Sequence, residues 1–114
     1  MADDRIYVDV ADGIKRVMNN TKLYVKLLTK FRNENNLADL NSFLGANDLE
    51  KAQAAAHTIK GLAANLSLTA LFQQALEIET QIKNKAVDQG AADTLNAIFA
   101  ETLVEIDKVL AEYA

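Results

Sequence analysis

The chain lacks cysteine, proline and tryptophan, and it has one histidine among its 114 residues. Without cysteine there are no disulfides, no thiol nucleophile and no thiolate ligands for a metal ion. One imidazole cannot supply the paired histidines of a common structural zinc site, so we expect no bound metal. The sequence also has no apolar run of about 18 residues and no signal-peptide core near its N-terminus. We therefore expect a soluble cytoplasmic protein that does not bind membranes.

An excess of basic charge is missing as well. The 12 lysines and arginines are outnumbered by 16 aspartates and glutamates, which gives a formal net charge of −4. This balance argues against a nucleic-acid partner, because nucleic acids require a basic face. The chain also has no Walker loop, no glycine-rich nucleotide loop and no carboxylate cluster for magnesium. We therefore expect no ATP site, no enzymatic activity on ATP and no cofactor of its own.

The abundant residues favour helix. Alanine, leucine, lysine, glutamate and glutamine all have high helix propensity, and the length suits one domain over residues 1–114. Apolar periodicity and capping residues predict helices at about 7–18, 21–35, 48–66, 68–85 and 92–114. Residues 37–44 fit either an extension of the second helix after a kink or a separate turn. Asn47 or Asp48 is the expected cap of the third helix.

Short breaks between long amphipathic helices favour antiparallel neighbours. The predicted fold is therefore all-α: an antiparallel up-down four-helix bundle, with the short N-terminal helix capping one end. A bundle of this size can close its core without a second copy, so we expect a monomer.

The single histidine, His57, lies in the third predicted helix. At about 100° per residue, the apolar residues of that helix fall in one arc, and His57 lies about 130° from its centre. The arc consists of Leu49, Ala52, Ala56, Ile59, Ala63 and Leu66. A lone histidine is often only a hydrogen-bonded residue of the core or surface, but this stripe is complete without it. His57 is therefore expected to face outward or to flank a neighbouring helix.

Two neighbours give the histidine a chemical setting. Gly61 lies one turn away on the same face, where a glycine costs about 1 kcal/mol relative to alanine. It leaves open space for another molecule to approach, although a long helix can also tolerate a neutral glycine. Lys60, three residues from His57, can reach a phosphoryl group on the ring, although an exposed lysine alone is usually only solvated.

The fourth predicted helix places Glu79 inside its apolar stripe. A carboxylate is unfavourable there unless it has a partner or lies at the edge and reaches water. Glu79 can accept a hydrogen bond from Nδ1 of His57, which would leave Nε2 unprotonated and nucleophilic.

These residues resemble the histidine-containing phosphotransfer (HPt) domain. The family pattern His-x-(Leu/Ile)-Lys-Gly, followed by small residues, corresponds to His57-Thr58-Ile59-Lys60-Gly61 and the residues after it. Residues 8–17, 27–31 and 47–52 are similar to upstream parts of the family, and Leu71, Ala75 and Glu79 match its next helix. The chain departs from the pattern at Ser67, where glycine is usual, at Leu68, where alanine is common, and at the bulky Leu62.

The resemblance implies a phosphorelay carrier in two-component signalling. It implies that His57 is phosphorylated on Nε2, that Lys60 steadies the phosphoryl group and that Glu79 orients the ring. It further implies that receiver domains of response regulators and a hybrid sensor histidine kinase are the partners, and that the receiver supplies Mg²⁺. The expected docking face consists of Gln53, Ala54, Gly61, Ala64 and Asn65.

Other functions fit parts of the pattern. The same fold can be the phosphorylated module of a larger chemotaxis-type histidine kinase, although the N-terminal methionine and the helical C-terminus favour a free-standing protein. A helical adaptor that never carries phosphate is a second alternative. A Glu-His hydrolase is disfavoured, because no serine or threonine is placed as a nucleophile and no oxyanion site is visible.

Overall fold

A computed structural model describes residues 5–34 and 36–113 and shows an all-helical protein. Within these ranges there are six helices and no strand. The helices are α1 (Val10–Arg16), α2 (Thr21–Asn33), α3 (Asn36–Gly45), α4 (Leu49–Leu66), α5 (Thr69–Lys83) and α6 (Gln89–Glu112). The all-α prediction is therefore confirmed. None of the helices in the described ranges is both long and apolar enough to span a membrane.

The boundaries correct several details of the prediction. The segment whose assignment was open forms a separate helix, α3, and the predicted helices at 7–18 and 68–85 shrink to the shorter α1 and α5. Helix α2 ends at Asn33, and the predicted end at Asn35 lies outside the described residues. Helix α6 begins at Gln89 rather than at about residue 92, and the carboxylate of Asp88 before it accepts a hydrogen bond from the amide of Gly90 at 3.3 Å. Aspartate is among the preferred N-cap residues, so α6 begins earlier than the apolar pattern indicated.

Other helix starts follow the same chemistry. Side-chain oxygens of Asp9, Asn20 and Asp48 accept hydrogen bonds from backbone amides three residues later, at 3.1 to 3.2 Å. These bonds satisfy amides that have no partner inside the helix. Of the two expected caps of α4, Asp48 therefore has this role, whereas Asn47 adopts a left-handed backbone conformation with φ of 55°.

The core lies where the apolar faces of the helices meet. On α4 the buried residues are Ala52, Ala56, Ile59, Ala63 and Leu66, which belong to the predicted arc, while Leu49 at its start is half-buried. Helix α4 packs mainly against α5 and α3, and α5 packs mainly against α4 and α6. Phe31 of α2 and Phe99 of α6 stack with ring centroids 5.5 Å apart. The face of α4 opposite the core therefore remains open to solvent.

The turn between α4 and α5 is held by contacts from the N-terminal part of the chain. Ser67 adopts the left-handed conformation with φ of 58°, which ordinarily favours glycine. Its hydroxyl donates to Oδ2 of Asp12 at 2.5 Å, and its carbonyl accepts from the amide of Asp9 at 2.9 Å. The phenol of Tyr24 donates to the carbonyl of Leu66 at 2.8 Å. These bonds show how a serine occupies the position where the HPt pattern has glycine.

Helix α1 depends on a close approach to α2. Gly13 is buried directly against the ring of Tyr24, and a methyl group on Gly13 would overlap that ring. Here a glycine is required by space rather than by backbone conformation. The contact brings α1 to the end of α4 and α5, where Asp12 reaches Ser67.

Candidate functional site

His57 projects from the open face of α4. Its side chain is 68% exposed, whereas the neighbouring core residues Ala56 and Ile59 are fully buried. Helix geometry explains the difference, because successive residues point about 100° apart. The imidazole is therefore accessible to a second macromolecule.

Glu79 of α5 contacts the imidazole ring of His57. Its side chain is only 3% exposed, and its Oε2 lies 2.9 Å from Nδ1 of His57. An ionised carboxylate can only accept hydrogen bonds, so in a neutral ring Nδ1 carries the hydrogen. Nε2 then has a free lone pair. The pair formed by a buried carboxylate and an exposed imidazole therefore fixes both the orientation of the ring and its tautomer.

Lys60 contacts the other oxygen of the same carboxylate. Its Nζ lies 2.5 Å from Oε1 of Glu79, and its side chain is 22% exposed. Both oxygens of Glu79 thus have a donor, and no buried side-chain nitrogen or oxygen within the described residues lacks a hydrogen-bond partner. The ammonium that was predicted to face a phosphoryl group is therefore bound to Glu79 in this structure.

The charge state of Glu79 follows from these contacts. Burial raises the pKa of its carboxyl, but the hydrogen bonds from Lys60 and His57 and the positive charges of Lys60 and Lys83 outweigh it, so the pKa lies below its usual value. Glu79 is consequently ionised at neutral pH. A carboxylate buried at this depth is tolerated because it is paired and fully hydrogen-bonded.

The predicted docking residues surround His57 on the same helix. Gly61, Ala54 and Asn65 are exposed, whereas Gln53 and Ala64 are half-buried. A side chain built on Gly61 would meet no atom within 4 Å, so this glycine borders open space. The structure thus brings the expected docking residues together around the imidazole.

Two features of the site were missed by sequence reasoning. The first is the contact between Lys60 and Glu79, for which the i, i+3 spacing of Lys60 and His57 was a usable signal, since both face α5. The second is a pair of apolar side chains on α5, Phe72 and Leu76, whose position beside the site the apolar pattern did not indicate. Leu76 is 43% exposed and Phe72 is half-buried. The available signal was the position of Glu79 on α5. Leu76 lies three residues before Glu79 and therefore on nearly the same side of the helix.

The site contains no group of three or more histidine, aspartate or glutamate side chains that could hold a metal ion, and neither does the rest of the described chain. Its chemical parts are instead an accessible imidazole, a buried carboxylate and an ammonium. Such a site can accept and release an electrophilic group at Nε2, with the charge of the ring balanced through Nδ1.

Comparison with protein families agrees with this chemistry. The family model of the Hpt domain matches residues 26–111, a stretch that contains His57, Lys60 and Glu79. The chain belongs to the Hpt domain family. Neither the curated proteins nor the solved structures that were compared match it.

Membership of the family establishes the general role of the chain. Hpt domains are phosphocarrier modules rather than catalytic enzymes, and they serve histidine phosphotransfer in two-component signalling. They interact with receiver domains and histidine kinases.

Proposed function

We propose that the chain is a phosphorelay carrier in which His57 accepts a phosphoryl group on Nε2 and passes it between the aspartates of receiver domains. The observation that supports this most directly is the contact of 2.9 Å between Nδ1 of His57 and the buried carboxylate of Glu79. It directs the lone pair of the ring away from Glu79, on a side chain that is 68% exposed. An adaptor that never carries phosphate has no need for this arrangement.

The proposed step exchanges one bond for another. Nε2 of His57 attacks the phosphorus of a receiver aspartyl phosphate, the P–N bond forms, and the P–O bond breaks with release of the aspartate carboxylate. The ring becomes positively charged as it attacks, and its Nδ1–H remains hydrogen-bonded to Glu79. The carboxylate of Glu79 therefore stabilises the positive charge that develops on the ring during attack. It stabilises the same charge on the phosphorylated ring before the reverse step.

Lys60 is proposed to stabilise the phosphoryl group once that group is on the ring. The flexible side chain of Lys60 contacts Glu79 before transfer. Because its ammonium has three N–H donors, it can then donate hydrogen bonds both to the carboxylate and to the phosphoryl oxygens. Gln53, Ala54, Gly61, Ala64 and Asn65 are proposed to form the surface on which the receiver docks. Of these, Gly61 leaves the space that lets the receiver's phosphoaspartate reach Nε2.

The proposal includes the setting in which the step occurs. We infer a monomeric single domain whose helices form an antiparallel up-down bundle with α1 capping one end. The stacking of Phe31 with Phe99 and the contact of Glu79 with His57 across the α4–α5 hairpin support this arrangement. The receiver is expected to supply both the aspartate and the Mg²⁺. The hybrid sensor kinase is expected to charge the first receiver.

The test is transfer of labelled phosphate from a receiver domain. Receiver domains charged by acetyl phosphate and Mg²⁺ are mixed with the wild-type chain, and acid-labile, base-stable phosphate is located by mass spectrometry. We expect label on His57 and none on the His57→Gln variant.

A second variant tests whether the histidine needs its contact with Glu79 to be phosphorylated. The double substitution Gln53→His with His57→Gln moves the imidazole one turn along α4, away from Glu79. We expect it to remain folded and to accept no label at the new position. Equal labelling of the wild type and of His57→Gln would contradict the proposal, as would a wild type that no receiver labels.

A further inference from the structure

Helix α5 presents an apolar edge next to the face of α4 that carries His57. Phe72 and Leu76 are four residues apart and so lie on the same side of the helix. Glu79, three residues beyond Leu76, contacts both His57 and Lys60, which shows that this side of α5 faces α4. Leu76 is nevertheless 43% exposed. An apolar edge therefore runs beside the proposed phosphoryl site.

The edge leads into a notch between α1, α4 and α5. The notch has a volume of about 200 Å³ and an apolar floor that includes Ala63, Ala64 and Phe72. Its rim is polar and includes Asp12 and Arg16. Since Ala64 belongs both to the notch and to the proposed docking face, the notch continues that face away from His57.

The rim of the notch is held in place by α1. Nε of Arg16 donates to Asp12 at 2.8 Å, and Asp12 also accepts the hydroxyl of Ser67. Through these bonds to Ser67, α1 forms a wall of the notch that is linked to the turn between α4 and α5.

A single exposed leucine is ordinary, but its position beside a reactive group and a notch is informative. Macromolecular partners gain most of their affinity from a few apolar anchors buried in pockets. A receiver that brings its aspartate to Nε2 of His57 must cover the adjacent surface of α4 and α5. A receiver bound in this way can bury Leu76.

We infer that the receiver domain buries Leu76 and inserts one apolar side chain into the notch formed by Ala63, Ala64 and Phe72 behind the wall of α1. This inference rests on the proposed function and adds an apolar contact through which the receiver binds. The contact acts on association and leaves the chemistry at Nε2 unchanged.

The inference is tested with Leu76→Gln, which removes the apolar anchor without adding charge near Glu79. The matched control is Val104→Gln, because Val104 is 47% exposed on α6, which packs mainly against α5 and α2. The probe is the receiver domain, chosen from a panel charged with acetyl phosphate and Mg²⁺, that labels the wild type fastest. The transfer rate is measured as a function of receiver concentration.

We expect Leu76→Gln to raise the half-saturating receiver concentration by about tenfold, the effect of losing one anchor residue. Its limiting rate should stay at the wild-type value, and Val104→Gln should change neither quantity. Labelling by phosphoramidate, a small donor that needs no docking surface, should be the same in all three proteins. A second variant, Ala64→Met, fills the notch and should raise half-saturation in the same way.

The outcomes separate the two proposals. If the wild type is labelled on His57 while Leu76→Gln, Ala64→Met and Val104→Gln all saturate alike, the docking inference is wrong and the proposed function stands. If phosphoramidate labels His57 but no receiver of the panel does, the carrier function fails, and the docking inference fails with it. Melting curves of each variant establish that any change does not come from unfolding.

Discussion

Lys60 and His57 share a single buried carboxylate. Nζ of Lys60 lies 2.5 Å from one oxygen of Glu79, and Nδ1 of His57 lies 2.9 Å from the other. Although burial raises the pKa of Glu79, the hydrogen bond and charge of Lys60 lower it, so they help to keep the carboxylate ionised and able to accept the hydrogen of Nδ1. We therefore expect Lys60, which is proposed to stabilise the phosphoryl group, to act on the ring through Glu79 as well.

The first prediction concerns the loss of this ammonium. In Lys60→Met, burial of Glu79 is opposed mainly by the hydrogen bond from His57, so the pKa of Glu79 should be higher than in the wild type. The rate of transfer from a receiver should fall by about tenfold, which corresponds to ~1.4 kcal/mol in the barrier. Carboxyl ¹³C NMR titration measures the first effect, and single-turnover transfer measures the second.

Lys60→Arg serves as the control for this prediction. It retains the positive charge, so it should keep the pKa of Glu79 low and restore most of the rate. A pKa of Glu79 that is the same in Lys60→Met and the wild type would show that the lysine acts on the phosphoryl group alone.

The second prediction separates stability from function at Gly61. A side chain at this position would meet no atom within 4 Å, and alanine is favoured over glycine in a helix by about 1 kcal/mol. Gly61→Ala should therefore raise the free energy of unfolding by up to this amount. Gly61→Arg should instead slow transfer from a receiver, because it occupies the space through which the aspartate approaches.

Gly45, at the end of α3, is the matched control for Gly61. It also borders open space, but it does not lie on the face of His57. Gly45→Arg should leave receiver-dependent transfer unchanged. Equal rates in Gly61→Arg and Gly45→Arg would contradict the docking role of Gly61.

Much of this site could be predicted from the sequence because helix periodicity is regular. The positions of His57 and Gly61 on the outer side of α4 follow from 3.6 residues per turn, and Glu79 was identified because a carboxylate interrupts an apolar stripe. The contact of one Glu79 oxygen with His57 and of the other with Lys60 could not be predicted. It depends on the relative height of α4 and α5, which the turn at Ser67 determines through contacts with residues far away in sequence.

The helix boundaries show the same limit. The pattern of residues 37–44 left open an extension of the second helix after a kink or a separate turn, whereas the segment forms a separate helix, α3. Periodicity did not reveal how the chain bends before this segment. At α6 the apolar pattern starts after the true N-terminus, because the first turn is stabilised by the Asp88 cap rather than by burial. Local capping chemistry and long-range contacts therefore determine what the apolar pattern leaves open.

The third prediction concerns acid stability. Burial raises the pKa of Glu79 in the folded protein, but the hydrogen bonds from Lys60 and His57 and the charges of Lys60 and Lys83 outweigh it, so the pKa is lowered. The stabilisation by this ionised carboxylate is thus fully present above the usual glutamate pKa of about 4.3, and it is lost as pH falls through the lower folded value. Urea midpoints of the wild type should therefore decline below about pH 4.3.

Glu79→Gln tests which group causes the decline. The variant should be less stable than the wild type at pH 7, because it leaves Lys60 without its ionised partner, and it should lose less stability in acid. The acid dependence that remains comes from Asp12 and Asp107, whose pKa values are lowered chiefly by hydrogen bonds from Ser67 and Arg32. An equal loss of stability in acid in Glu79→Gln and in the wild type would contradict the role of Glu79.

The fourth prediction concerns the anchor of the α4–α5 turn. The phenol of Tyr24 donates to the carbonyl of Leu66 at 2.8 Å, and burial raises the pKa of Tyr24 to about 12. Tyr24→Phe keeps the packing against Gly13 but leaves that buried carbonyl without its donor, which costs about 1–3 kcal/mol. Urea unfolding at pH 7 should show this loss, whereas Tyr113→Phe, at a position that is 41% exposed, should leave stability unchanged. If both variants unfold at the wild-type midpoint, the bond between Tyr24 and Leu66 does not stabilise the turn.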